Sequence, residues 1–195
     1  VVQKIFYIHV PSAWVSYLAF FVVFVASIMF LIKSSPRWDR VAYCSAEIGV
    51  VFNTMVLITG PFWGKPIWGT WWSWDPRLTT TLILWLIYLT YLTLRAYGGP
   101  ASGRYAAVLG IVGFLDVPLI HVSVKWWRSL HPAPVVINPQ GPQLERSMLI
   151  TLIIMLIAFT ILYVLLLSIR YNISELESRI SELRASREPF KKGRL

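Results

Sequence analysis

From Ile5 to Ile32 the chain runs for 28 residues without one Asp, Glu, Lys or Arg. A helix needs about 20 apolar residues to cross the hydrocarbon of a bilayer. Helices and closed barrels are the only structures that satisfy their own backbone there. Pro11 and Ser12 supply a helix start before the most apolar part of the run. A second run reaches from Val41 to about Thr59, interrupted only by Glu47. The third, Leu78 to Leu94, is uncharged and spans when Trp85, Tyr88 and Tyr91 lend interfacial length. The fourth, Tyr105 to Val124, carries Asp116 and Pro118, and the fifth is 23 uncharged residues from Ser147 to Ile169. The expected fold is therefore an all-α polytopic membrane protein with five transmembrane helices. With 56% hydrophobic and 14% charged residues and a mean hydropathy of +0.62, the composition excludes an ordinary water-soluble domain.

Basic residues set the orientation. The turns around 33–40 and 95–104 and the tail from Arg170 hold twelve of the eighteen Lys and Arg, which makes that side cytoplasmic. It follows that His9, His121, Trp126, Trp127, His131 and the tryptophan-rich stretch face outward. The formal charge of +9 belongs to a basic tail facing anionic lipid or a partner, and calls for no nucleic acid. Cys44 is the only cysteine, so neither an intramolecular disulfide nor a thiolate metal cluster is expected. The sequence opens at Val1 without Met or a cleavable signal pattern; either the start is unusual or residues precede it.

Between Pro61 and Thr79 lie five of the ten tryptophans, Trp63, Trp68, Trp71, Trp72 and Trp74, among Pro61, Gly64, Pro66, Gly69 and Pro76. The glycines and prolines predict a loop over this stretch. An aromatic loop lies on the bilayer interface, packs under other loops, or forms a platform for a large flat apolar ligand. An ordinary aromatic belt places one or two rings per span, fewer than stand here.

His9 and His121 are predicted at the outer ends of helices, with Pro118 kinking the fourth span and turning His121 sideways. Two imidazoles approaching from opposite sides could supply both axial positions of a haem iron, and haem b is the expected group. A closed zinc site would want four ligands. For either histidine alone, an interfacial side chain is the plainer reading. Trp68, Trp71, Trp72, Trp74, Trp126 and Trp127 could stack on the macrocycle. Lys65, Arg77, Lys125 and Arg128 could meet its propionates or be ordinary surface charge. Asp75 fits a helix cap with Pro76 at the first helical position better than direct ligand contact; it could also orient a neighbouring His. Glu47 and Asp116, inside spans, are functional candidates by default, and His131 is the least supported of the three histidines. No phosphate-cradling Gly-rich loop is present, so energy from ATP would come from another subunit.

Trp68-Gly-Thr-Trp-Trp-Ser-Trp-Asp75-Pro-Arg-Leu-Thr resembles the WWD signature of bacterial haem-handling proteins in c-type cytochrome maturation. Tyr7-Ile-His9-Val-Pro and Leu119-Ile-His121-Val-Ser-Val-Lys-Trp-Trp127 resemble the two histidine segments of its CcmC branch, and the likeness covers most of residues 3–131. The larger CcmF and CcsA relatives share the WWD signature alone. The resemblance implies an inner-membrane subunit of an ABC-type complex with CcmA, CcmB and CcmD. Such a subunit presents haem on the periplasmic face and loads it onto the haem chaperone CcmE, with the histidines matching His9 and His121 as axial ligands. That family usually has six spans with both termini cytoplasmic. This sequence holds five and begins just before the first histidine, so the preceding helix is absent or lies outside it.

The leading expectation is outer-face haem binding and delivery to CcmE, without classical catalytic residues. A respiratory membrane anchor retaining haem b, or a transmembrane haem or solute permease, are the alternatives. The chain divides into a transmembrane haem-handling unit, 1–170, and a basic amphipathic tail, 171–195. The tail carries a seven-residue repeat, Ile173 to Arg179 and Ile180 to Ser186, with Asn172 and Glu175 as a capping pair and Glu175 and Arg179 at helical spacing. A partner-facing stripe and a solvated amphipathic end both fit it.

Overall fold

The computed structural model describes residues 3–99, 101–127, 129–131 and 143–192. These form six helices: α1 Gln3–Lys33, α2 Pro36–Trp68, α3 Pro76–Tyr97, α4 Ser102–Phe114, α5 Asp116–Trp126 and α6 Arg146–Lys192. With α4 and α5 counted as one span, five helical stretches are long and apolar enough to cross a membrane, and the chain is a multi-pass membrane protein. Arg128 and the proline-bearing segment 132–142 lie outside the described residues, as does the side chain of Lys125.

The helix α1 is the centre, packed against α2, α4 and α6, while α3 joins α2 to the α4–α5 pair. Small residues let these helices approach. A Cβ on Gly49 of α2 would lie 2.5 Å from Phe20 Cε1 of α1, and Phe20 in turn stacks on Tyr88 of α3 at 3.7 Å and 9°. The Tyr88 hydroxyl donates to the Gly110 carbonyl of α4 at 2.9 Å, so one chain of contacts crosses four helices. On the other side, Ser45 donates to the Ala19 carbonyl at 2.8 Å and meets the hydroxyl of Tyr163 on α6 at 2.8 Å.

Charges meet at the end of the bundle away from the start of α3. Arg95 holds Asp39 at 2.6 Å, and Arg170 clasps Glu47 with contacts of 2.7 and 3.2 Å. Glu47, expected as a functional candidate, thus has a partner on a neighbouring helix. Asp116 is buried, and its Oδ2 has no hydrogen-bond partner among the described residues.

The fourth span breaks at Leu115, whose N–H bonds back to Val112 O at 3.1 Å. Pro118, one turn on, has no N–H to offer Phe114. Three local expectations differ from the structure. The stretch from Pro61 to Trp68 is helical, with Pro61 and Pro66 inside α2, and only Gly69 to Asp75 lies between α2 and α3. Each proline removes one backbone bond and leaves the rest of the ladder intact, so a helix held by its neighbours continues. Termination comes instead from Gly69, whose φ of 74° is left-handed and whose N–H returns to Lys65 O. Pro11 lies within α1 rather than at its start. Asn172 is inside α6, which runs unbroken past the end of the span, so it caps nothing.

Substituting Gly49→Val should push Phe20 off Tyr88 and cost about 1–3 kcal/mol, the usual range for overpacking a tight core. A thermal melt of the detergent-solubilised protein followed by tryptophan fluorescence should show a lower Tm.

Candidate functional site

One end of the bundle gathers the N-terminal part of α1, the C-terminal part of α2, the Gly69–Asp75 connection, the start of α3 and the end of α5. His9 reaches from α1 to α2, its Nδ1 2.8 Å from Thr59 Oγ1. That hydroxyl already spends its only hydrogen on the Met55 carbonyl at 2.7 Å, so it can only accept from His9. In the neutral imidazole the proton therefore sits on Nδ1, and the Nε2 lone pair is free. His121 on α5 arrives at the same tautomer by another route. Its Nδ1 faces the Val117 carbonyl at 3.2 Å, an acceptor without a hydrogen to give. His121 is exposed and packs edge-on against Tyr17 of α1 at 5.3 Å.

Of the aromatic side chains at this end, Trp63 meets His9, Tyr17 meets His121, and the other tryptophans pair among themselves, with Phe62 or with His131. Trp63 lies edge-on to His9 at 5.5 Å. Trp68 folds back over Gly64, where a Cβ would come 2.6 Å from its ring, and meets His131 at 4.8 Å. Trp71 leans on Phe62 at 5.4 Å, under the ammonium of Lys65, which also donates to Gly69 O at 2.7 Å. Trp72 packs on Trp74, and Trp126 on Trp127. Trp74 is 77% exposed and Trp126 69%, so a broad indole surface stays uncovered. Arg77 sits on the first turn of α3, half-buried.

Asp75 is the polar centre of the connection. One oxygen accepts from the Arg77 N–H at 3.0 Å, capping α3. The other accepts from Ser129 Oγ and the Leu130 N–H, both at 2.7 Å. His131 Nδ1 completes the set at 3.2 Å. Asp75 therefore combines the expected cap with the orientation of a histidine, and that histidine is His131, the one with least support from sequence. Burial draws the Asp75 carboxyl upward, but the bonds from Ser129, Leu130 and Arg77 outweigh it and hold the group below its ordinary value. His131 is also held below its ordinary value, by burial first and by Arg77 second, against the pull of Asp75.

Sequence reasoning gave no site role to Thr59, Gly64, Tyr17 or Ser129. Thr59 stands 50 residues from His9, and nothing in a threonine ending an apolar run announces a histidine partner. Among the described residues no three His, Cys, Asp or Glu side chains converge as a metal site. A metal held here would have to bring most of its own ligands, as the iron of a porphyrin does.

Acidification should loosen this end of the molecule. Both His131 and Asp75 bind protons less readily folded than unfolded, so stability is complete at neutral pH. It falls first as pH drops through the ordinary histidine value of 6.5, then again through the carboxylate value of 3.8. Tryptophan fluorescence across an acid titration should show the first step diminished in His131→Gln. Asp75→Ala should cost about 1–2 kcal/mol through the cap alone, read as a lower Tm at neutral pH.

The family profile described as "CcmC: Heme exporter protein C" matches residues 2–186. Over 165 residues, 84% of this chain and 63% of the relative, the chain is 46% identical to a protein of Bradyrhizobium diazoefficiens named "Heme exporter protein C". Its likeness to the Escherichia coli K12 protein of the same name is 39% over 130 residues, 66% of this chain and 53% of that one. A "putative cytochrome c biosynthesis ccmC-like mitochondrial protein" of Arabidopsis thaliana is 36% identical over 193 residues, 97% of this chain and 73% of the relative. The chain thus spans a little over half to about three quarters of the length of these relatives.

Proposed function

The chain belongs to the heme exporter protein C family, and we propose that it holds haem as cargo at its outer face and passes it to a second protein in c-type cytochrome maturation. The observation that carries this reading is the shared tautomer of His9 and His121. Both rings are anchored through Nδ1, by Thr59 and by Val117 O, with Nε2 left able to ligate iron. Hydrogen bonds of this kind fix the ring and raise the basicity of the ligating nitrogen. Histidine pairs bind haem iron in either oxidation state.

In this reading Trp68, Trp71, Trp72 and Trp74, with Trp126 and Trp127, supply apolar area for the macrocycle, here a haem b. Arg77 is a cation for its propionates, and Lys125 and Arg128 follow from the sequence alone. Asp75 shapes the platform through its cap and through His131 and stays off the cargo. The exposure of His121, Trp74 and Trp126 suits a group that has to leave, since a deep pocket would retain it. The face is then periplasmic, the bilayer the bacterial inner membrane and the receiving protein the chaperone CcmE. CcmA, CcmB and CcmD are the companion subunits, with hydrolysis of ATP left to them.

The test is the absorption spectrum of the full-length protein purified from haem-sufficient cells, beside His9→Ala and His121→Ala. The parent should carry a Soret band that weakens or shifts in both variants, with transfer to the chaperone reduced at least tenfold in each. A parent spectrum unchanged by either substitution would overturn the reading. A resident haem that cycles with quinone and never moves to the chaperone would replace it with a respiratory anchor.

A further inference from the structure

Past Arg170 the helix α6 leaves the span without a break, and the repeat in its sequence becomes a seam on its surface. Ile173, Leu176, Ile180 and Leu183 stand three, four and three residues apart, the a and d positions of two heptads. They are 44, 57, 48 and 64% exposed. Glu175, off the seam, is tied to Arg179 at 2.6 Å and lies 3.8 Å from Arg40 at the start of α2. No described residue covers the apolar stripe itself.

The bilayer is a poor occupant. Arg170 is clasped to Glu47 at 2.7 Å, and from there to Leu183 the helix rises about 20 Å along its own axis. A helix continuous with a span carries its stripe away from the lipid, whereas interfacial helices lie in the membrane plane. A second copy of this chain is disfavoured by charge. Two copies in one membrane share an orientation, so their extensions would run parallel. With Ile173 at a, Arg179 takes position g and Arg184 position e. A parallel pair sets each Arg179 against the partner copy's e position, which is also Arg184. Like charges at that contact repel, twice over by symmetry.

We propose that this seam docks an amphipathic helix of another protein chain, with an apolar heptad stripe of its own. That helix bears acidic residues where it faces Arg179 and Arg184 and a basic residue where it faces Glu177. Four apolar side chains make a short contact, fewer than a free-standing coiled coil needs. Attachment of both helices to one assembly sets an effective concentration of about 1 mM, so a free peptide that binds at up to about 0.1 mM is tight enough for docking, and the peptides below are titrated into that range. The inference is independent of the haem reading, since it concerns the opposite end of the molecule.

The test uses the full-length protein in nanodiscs and two fluorescent three-heptad peptides with Ile at a and Leu at d. One carries Glu opposite Arg179 and Arg184 and Lys opposite Glu177; the other has these charges reversed. Fluorescence anisotropy should give at least about tenfold tighter binding of the first. The double variant Leu176→Ser, Leu183→Ser should abolish it, with far-UV circular dichroism checking that α6 stays helical. Arg179→Glu with Arg184→Glu should move the preference to the second peptide. Equal affinity for both peptides, binding to neither, or binding that survives the serine pair would overturn the proposal. So would efficient crosslinking of Ile180→Cys between two copies, which would make a second copy the occupant.

Discussion

One carboxylate closes the end of this bundle where α2 passes into α3. Asp75 receives the N–H of Arg77, the hydroxyl of Ser129, the N–H of Leu130 and the ring of His131, four donors from two segments more than 50 residues apart. The tryptophan-bearing connection after α2 and the segment after α5 therefore share one anchor. Because Asp75 is 6% exposed, each of these bonds acts in a medium that screens little. Without them the connection would be a short tether between two helix ends. With them it is a fixed surface bordered by the end of α5, which carries His121.

The shared tautomer of His9 and His121 is a second economy of the same kind. Neither ring is positioned by a carboxylate. Thr59 and the Val117 carbonyl do the work with neutral acceptors, so the histidines gain orientation without a charge at the membrane edge, where an unpaired one is expensive. Two carboxylates on α2 are matched by arginines of other helices: Glu47 by Arg170 and, at the helix start, Asp39 by Arg95. Asp116 is the exception, with one oxygen left without a partner among the described residues.

The class of fold was legible in uncharged runs, because a bilayer demands the same signal of every span. The family was legible in the residues around His9, Asp75 and His121, because each of those signature segments is contiguous in sequence. Where α2 ends was not legible. Pro61 and Pro66 look like breakers, yet the helix passes both and stops at Gly69, where a left-handed residue rather than a missing N–H decides. The role of His131 was hidden for a different reason: its partners Asp75 and Trp68 come from another part of the chain, and only packing brings them to it. The capping pair at Asn172 and Glu175 has the right spacing but sits mid-helix, because a helix already propagating from the span needs no new start.

A helix of 47 residues has a length of about 70 Å, more than twice the hydrocarbon thickness it crosses. Among the described residues α6 packs along α1 and α2, and the rest of its length stands clear of the bundle's other helices. A tilt of about 5° about its contact with Tyr163 and Ser45 would displace one end relative to the other by about 6 Å, roughly the width of a side chain. A small change of angle at that contact is thus geometrically a large change of position at the helix ends, because length alone sets the ratio.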